Sequence, residues 1–90
     1  MAQVDLSRPV TVDGAEVEAV EVVEPKVGQL KGLNTFSLLQ MDVNAHLTLL
    51  PRVTAPPISA DQLAEMRPKD FARLQAEVVR FLAEEDAPAI

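Results

Sequence analysis

The sequence predicts a small α+β fold, an N-terminal β-hairpin packed on a bundle of about four helices. Three observations lead there. Valines alternate with polar residues around an Asp13-Gly14 dipeptide, that alternation ends at Glu24-Pro25, and helix-start signals follow at Asn34, Ser59 and Pro68. A chain of 90 residues has room for one core, so residues 1–90 are expected to form a single domain. The hairpin is placed over 6–23, the helical part over 25–84 and a frayed tail over 85–90.

In the hairpin, Val10 and Val12 alternate with Thr11 before the dipeptide, and Ala15 and Val17 alternate with Glu16 after it. Asp-Gly suits a two-residue type I′ turn, whose central positions both need positive φ. Val12 then faces Ala15 and Val10 faces Val17, which gathers the valines on one surface. Val20 and Val22 continue the apolar face with the opposite parity to Val17, so a β-bulge or break is expected near Ala19. Two strands alone are barely stable in water. The hairpin should therefore lie on the helices or pair with another chain.

Proline suits the first position of a helix and an acid beside it suits the helix dipole, so a short helix is expected over 25–33 with Val27 and Leu30 inward. Asn34 or Thr35 can cap a longer helix running from about Phe36 to Leu50, limited by Pro51. Residues 52–57 read as a linker with prolines. Ser59-Ala60-Asp61-Gln62 has the spacing of a capping box and opens a short helix ending near Met66. Pro68 starts the last helix, in which Phe71, Leu74, Val78, Phe81 and Leu82 recur at helical spacing.

The central helix carries apolar residues on two opposed faces. Phe36, Leu39, Val43, Leu47 and Leu50 form one stripe, and Leu38, Met41, Ala45 and Leu49 form another. A helix apolar all round is ordinarily buried, but one hairpin and one long helix are few elements to cover both sides. The second stripe, Leu38, Met41, Ala45 and Leu49, or the outer face of the final helix, is therefore expected to supply a protein-binding surface.

Composition narrows the chemistry. Hydrophobic residues make up 48% of the chain and aromatics 3%, without Trp or Tyr, so the core must be aliphatic and flat platforms for stacking bases or sugars are missing. Eight Lys and Arg against fourteen Asp and Glu leave a net charge of -6, and such a field repels phosphate backbones and anionic membranes. No nucleic acid and no membrane are expected as partners. The absence of Cys removes disulfides, thiolate zinc sites and thiol catalysis, and fits the reducing cytoplasm. The N-terminus has no basic region and apolar run of a signal peptide, and no stretch reaches transmembrane length.

His46 is the one histidine, four residues after Asp42. The two can meet on a helix surface, where Asp42 would orient His46 as a general base. No serine elbow, Cys nucleophile or glycine-rich oxyanion loop accompanies them, so an ordinary surface or interface pair is expected instead, and the protein is not expected to be an enzyme. Ligands for a metal do not gather and Gly14, Gly28 and Gly32 make no phosphate loop; no cofactor is expected. Asp13, Glu16, Glu18, Glu21 and Glu24 fall in twelve residues with no Lys or Arg among them. Such acids usually form a solvated strand face that discourages unwanted pairing; mimicry of a DNA duplex is the sharper alternative.

Pro9-Val10-Thr11-Val12-Asp13-Gly14 followed by Glu16-Val17, then Glu24-Pro25-Lys26-Val27-Gly28-Gln29-Leu30, resembles the opening of tail assembly chaperones from Mu-like and related long-tailed phages. A leucine-rich middle helix, a Ser-initiated short helix and Lys69-Asp70-Phe71 opening the last helix match more loosely. The resemblance implies a protein that holds the tape-measure protein while tail-tube subunits polymerise around it, works in the bacterial host cytoplasm and is absent from the mature virion. It implies no catalytic residue. The tape-measure protein, the tail-tube protein and a second copy of the chain in a homo-oligomer are the expected partners. The alternative of another class is an acidic phage-encoded inhibitor that binds a host DNA-processing protein.

Overall fold

Asp13 and Gly14 sit at φ 52° and 82°, the two positive values that a type I′ turn requires. They join strand β1 (Ala2–Val12) to strand β2 (Ala15–Val22) in the computed structural model, which describes residues 2–83. Val10 pairs with Val17 and Val12 with Ala15, as the alternation predicts. An added Cβ at Gly14 would meet nothing within 4 Å, so glycine is needed there for its backbone alone. Gly14→Val is accordingly expected to cost about 1–2 kcal/mol, read as a lower Tm; an unchanged Tm would show that no tight turn exists.

The hairpin reaches further back than residue 6, since Ala2 to Asp5 pair with Val22 to Ala19. Val4 finds Val20 opposite and both are buried, which makes the extra pairing favourable. Between the two paired stretches, residues 6–9 of β1 stand against Glu18 alone. Val17 and Val20 both turn toward the core although three residues apart. The parity change thus falls beside Ala19, where it was expected, while β1 makes the longer excursion through Pro9, which has no N–H to give to a ladder.

The next segment departs from expectation. Residues 25–33 form only a 3-10 turn, Val27–Leu30, and Val27 is 84% exposed instead of inward. The Arg52 guanidinium donates to the carbonyls of Gln29 (2.7 Å) and Lys31 (3.1 Å), taking oxygens that a longer helix would use for itself. The central helix is also two helices. In α1 (Thr35–Leu39) the Asn34 Oδ1 accepts from the Phe36 amide at 2.8 Å. In α2 (Val43–Val53) the Asp42 carboxylate accepts from the Ala45 amide at 3.0 Å. Between them Met41 takes φ 64°, a left-handed conformation that ends one helix before the next begins. Pro51 lies inside α2 and does not stop it; a proline removes one backbone bond, and here the loss falls in the helix's last turn.

The linker contributes a strand. β3 (Thr54–Ala55) pairs antiparallel with Glu21 and Val22, giving a three-stranded sheet in the order β1-β2-β3. Ser59 and Gln62 form the predicted capping box at the start of α3 (Ala60–Ala64), and Pro68 opens α4 (Pro68–Ala83). The fold is α+β: among the described residues, a small antiparallel sheet with four α-helices. Val4, Val20 and Val22 of the sheet meet Leu38, Leu49, Leu50 and Val53, with Ile58, Leu63, Phe71, Leu74 and Val78 closing the core. The tail predicted to fray, 85–90, lies outside the described residues.

Candidate functional site

The two stripes of the central segment have different fates. Leu38 and Leu49 are 0% exposed and Ala45 is buried, so three of the four residues expected at a protein-binding surface belong to the core of this fold; only Met41 keeps a partly open side chain. The break at Met41 is the reason. It sets Met41 at the corner between α1 and α2, outside the core that the other three residues of the stripe share. Within this central segment the apolar side chains left in solvent, Met41 apart, come from the first stripe: Phe36 is 64% exposed and Val43 53%, with Leu39 also exposed. Phe36 and Leu39 lie one helical turn apart on the same face of α1.

Val43 also borders a groove of about 330 Å³. Its walls are Val43 and Leu47 of α2, Leu63, Ala64 and Met66 in and after α3, and Pro68 and Phe71 of α4. No lining residue is charged, so the groove offers dispersion and apolar burial alone. A second groove, about 420 Å³, runs between β1 and α3 and is bordered by Arg8 and Arg67 but also by Asp61 and Glu65, which offset them.

His46 is not the surface residue that its spacing from Asp42 suggested. The ring is 0% exposed, and Nε2 stands 2.8 Å from the Leu38 carbonyl, which makes it the protonated nitrogen that donates to that oxygen. Asp42 spends its carboxylate on capping α2. Burial pushes the imidazole below its ordinary pKa, and the Leu38 carbonyl and the Asp42 charge restore only part of the loss. A neutral, enclosed ring with its N–H engaged presents no base to a substrate in solvent. Among the described residues no group of three or more His, Asp or Glu converges to hold a metal ion, and no helix is long and apolar enough to cross a membrane.

Asp70 is the polar residue whose role the sequence does not disclose. It is 0% exposed in the first turn of α4, and its carboxylate accepts from both the amide and the hydroxyl of Ser7, each at 2.9 Å. Burial opposes its charge, but the Ser7 donors, the Arg8 amide and the Arg73 guanidinium 3.8 Å away outweigh it and hold the carboxyl below its ordinary pKa. Asp70 thereby clasps the excursion of β1. Arg73 adds a bond to the Asp5 carbonyl at 3.1 Å, and Gln62 donates to the Thr11 carbonyl. Side chains from α3 and α4 thus occupy the outer edge of β1, an edge that would otherwise invite another strand. An acid shortly after a helix-opening proline hints at a helix-terminal role, but nothing local identifies Ser7 as its partner.

Comparison with known proteins places these features. Residues 3–83 match the family model described as phage tail assembly chaperone proteins, E, or 41 or 14. The chain is 30% identical over 80 residues to tail assembly protein E of Escherichia phage P2, covering 89% of this chain and 88% of that protein. It is also 30% identical over 82 residues to tail assembly protein E′ of the same phage, covering 91% of this chain but only 58% of that longer relative. No solved structure matches.

Proposed function

The chain belongs to the phage tail assembly chaperone family, and from that premise we propose that it binds the tape-measure protein and assists assembly of the tail tube, without catalysis. The work is done in the bacterial host cytoplasm, and the protein leaves before the virion is complete. The observation that carries this reading is the uncovered apolar surface of α1 and the start of α2: outside the aliphatic core, Phe36, Leu39 and Val43 stand in solvent. A helical client buries side chains at helical spacing in such apolar surfaces, and the net charge of -6 keeps the holding protein soluble while they stand open.

The test is a pull-down and titration with the cognate tape-measure protein. Phe36→Glu and Val43→Glu are expected to keep the wild-type circular dichroism and Tm but to weaken binding by roughly thirtyfold or more, the loss of one central apolar contact worth about 2 kcal/mol. Failure of the wild-type protein to bind tape-measure protein at micromolar concentration would overturn the proposal. Undiminished binding by both variants would move the site elsewhere on the surface.

A further inference from the structure

We infer that the corner between α1 and α2 is a proton-operated latch: protonation of the buried His46 ring releases α1 from α2 and α4 while the rest of the fold stays closed. The device is independent of the partner that the apolar surface meets. Its parts are an enclosed imidazole, a short helix that the imidazole ties down, and a corner whose backbone is held in an unfavourable conformation.

The ring spans the corner, since it grows from α2 and Nε2–H donates to the Leu38 carbonyl of α1 at 2.8 Å. Nδ1 is buried and has no partner among the described residues. A second proton would have to sit on that nitrogen, and a buried charge without an acceptor is costly. The cheapest relief is to move what encloses the ring. α1 is lightly bound to the core, because it buries Leu38 alone while Phe36 and Leu39 are exposed. Met41, at φ 64°, would relax on opening. Against opening stands the Gln75 side chain, which donates to the Met41 carbonyl at 3.0 Å from α4.

The surrounding charges do not neutralise the protonated ring. α1 contains no charged residue. On α2, Asp42 favours the cation but is committed to the Ala45 amide, and Arg52 at the far end serves the 3-10 turn. On α4, Asp70 is held by Ser7, Arg73 by Asp5 and Asp70, and Glu77 by Arg80, while Lys69 is exposed. Asp61 and Glu65 of the α3 region are exposed. The net lowering of the His46 pKa by burial agrees with this arrangement and keeps the latch closed at neutral pH.

Amide hydrogen exchange of the full chain, followed by NMR at pH 7.5 and pH 5.5 and corrected for the intrinsic exchange rate, tests the latch. The Leu38, Gln40 and Asp42 amides, which bond within the corner, are expected to lose protection about tenfold, because a released ring takes up a proton below about pH 6.5. The Leu74 and Val78 amides of α4 should keep theirs. His46→Gln retains a donor for Leu38 and cannot titrate, so its corner should show no such pH response. Equal losses in α4, unchanged protection at the corner, or the same loss in His46→Gln would each overturn the latch. Should His46→Gln fail to fold, the ring resonances of the wild type decide: the latch requires titration below about pH 6.5, the ordinary value, and titration at or above it refutes the inference.

Discussion

Leu49→Glu is expected to abolish the folded state at 25 °C, and Leu38→Glu to destabilise it severely by expelling α1 from the core. Both leucines are 0% exposed inside the aliphatic cluster, where a carboxylate would find neither water nor a cation. Burying an unpaired charge costs several kcal/mol, and a domain of this size has only about 5–13 kcal/mol to lose. Circular dichroism should show loss of helix, and size-exclusion chromatography an expanded or aggregated chain. Phe36→Glu, one helical face away from Leu38, should by contrast remain folded, since its side chain is already in solvent. A compact Leu49→Glu with the wild-type Tm would contradict the core described above and return the second stripe to the surface. The pair of outcomes therefore separates a residue that holds the protein together from one that is free to meet a partner.

Asp70→Ala is expected to remove about 3 kcal/mol or more of stability, because charge-assisted hydrogen bonds are the strong ones and the Ser7 donors would lose their acceptor. For a chain this short that corresponds to a fall in Tm of roughly 12–25 °C. Ser7→Ala should cost less, about 1 kcal/mol, since it removes the hydroxyl but leaves the amide bonded. The pH dependence has a definite sign. The folded-state pKa of Asp70 lies below its unfolded value, so its contribution is fully present above about pH 4 and is lost as pH falls through the folded value. Thermal melts at pH 7 and pH 3 should show the gap between wild type and Asp70→Ala closing at the lower pH. A gap of equal size at both would mean that the carboxylate charge is not what holds β1 to α4.

How the binding surface changed between sequence and structure turns on Met41. Read as one helix, Leu38, Met41, Ala45 and Leu49 make a coherent stripe. The helix is interrupted, however, by a methionine in a left-handed conformation, which residue type does not announce. Asp42 is the local signal of the break: an acid three residues before Ala45 is as good a helix cap as Asn34. His46 lies inside for a related reason, since a position on the polar seam of a straight helix becomes interior once the Leu38 carbonyl of α1 stands over the ring.

The amino-acid sequence by itself determined the elements whose causes are local. The Asp13-Gly14 turn demands positive φ, the valine alternation sets the register of Val10 with Val17, the Ser59 to Gln62 capping box starts a helix, and Pro68 with its apolar period defines α4; each follows from interactions within a few residues. The resemblance of the opening segment also led to the family. Only the tertiary structure decided which apolar stripe is buried, that Asp70 bonds to Ser7 across 63 positions, that Thr54 and Ala55 complete a sheet, and that Arg52 confines residues 27–30 to a 3-10 turn. Those outcomes depend on contacts between residues far apart in the chain, where burial free energy and the satisfaction of buried polar groups outweigh local preference.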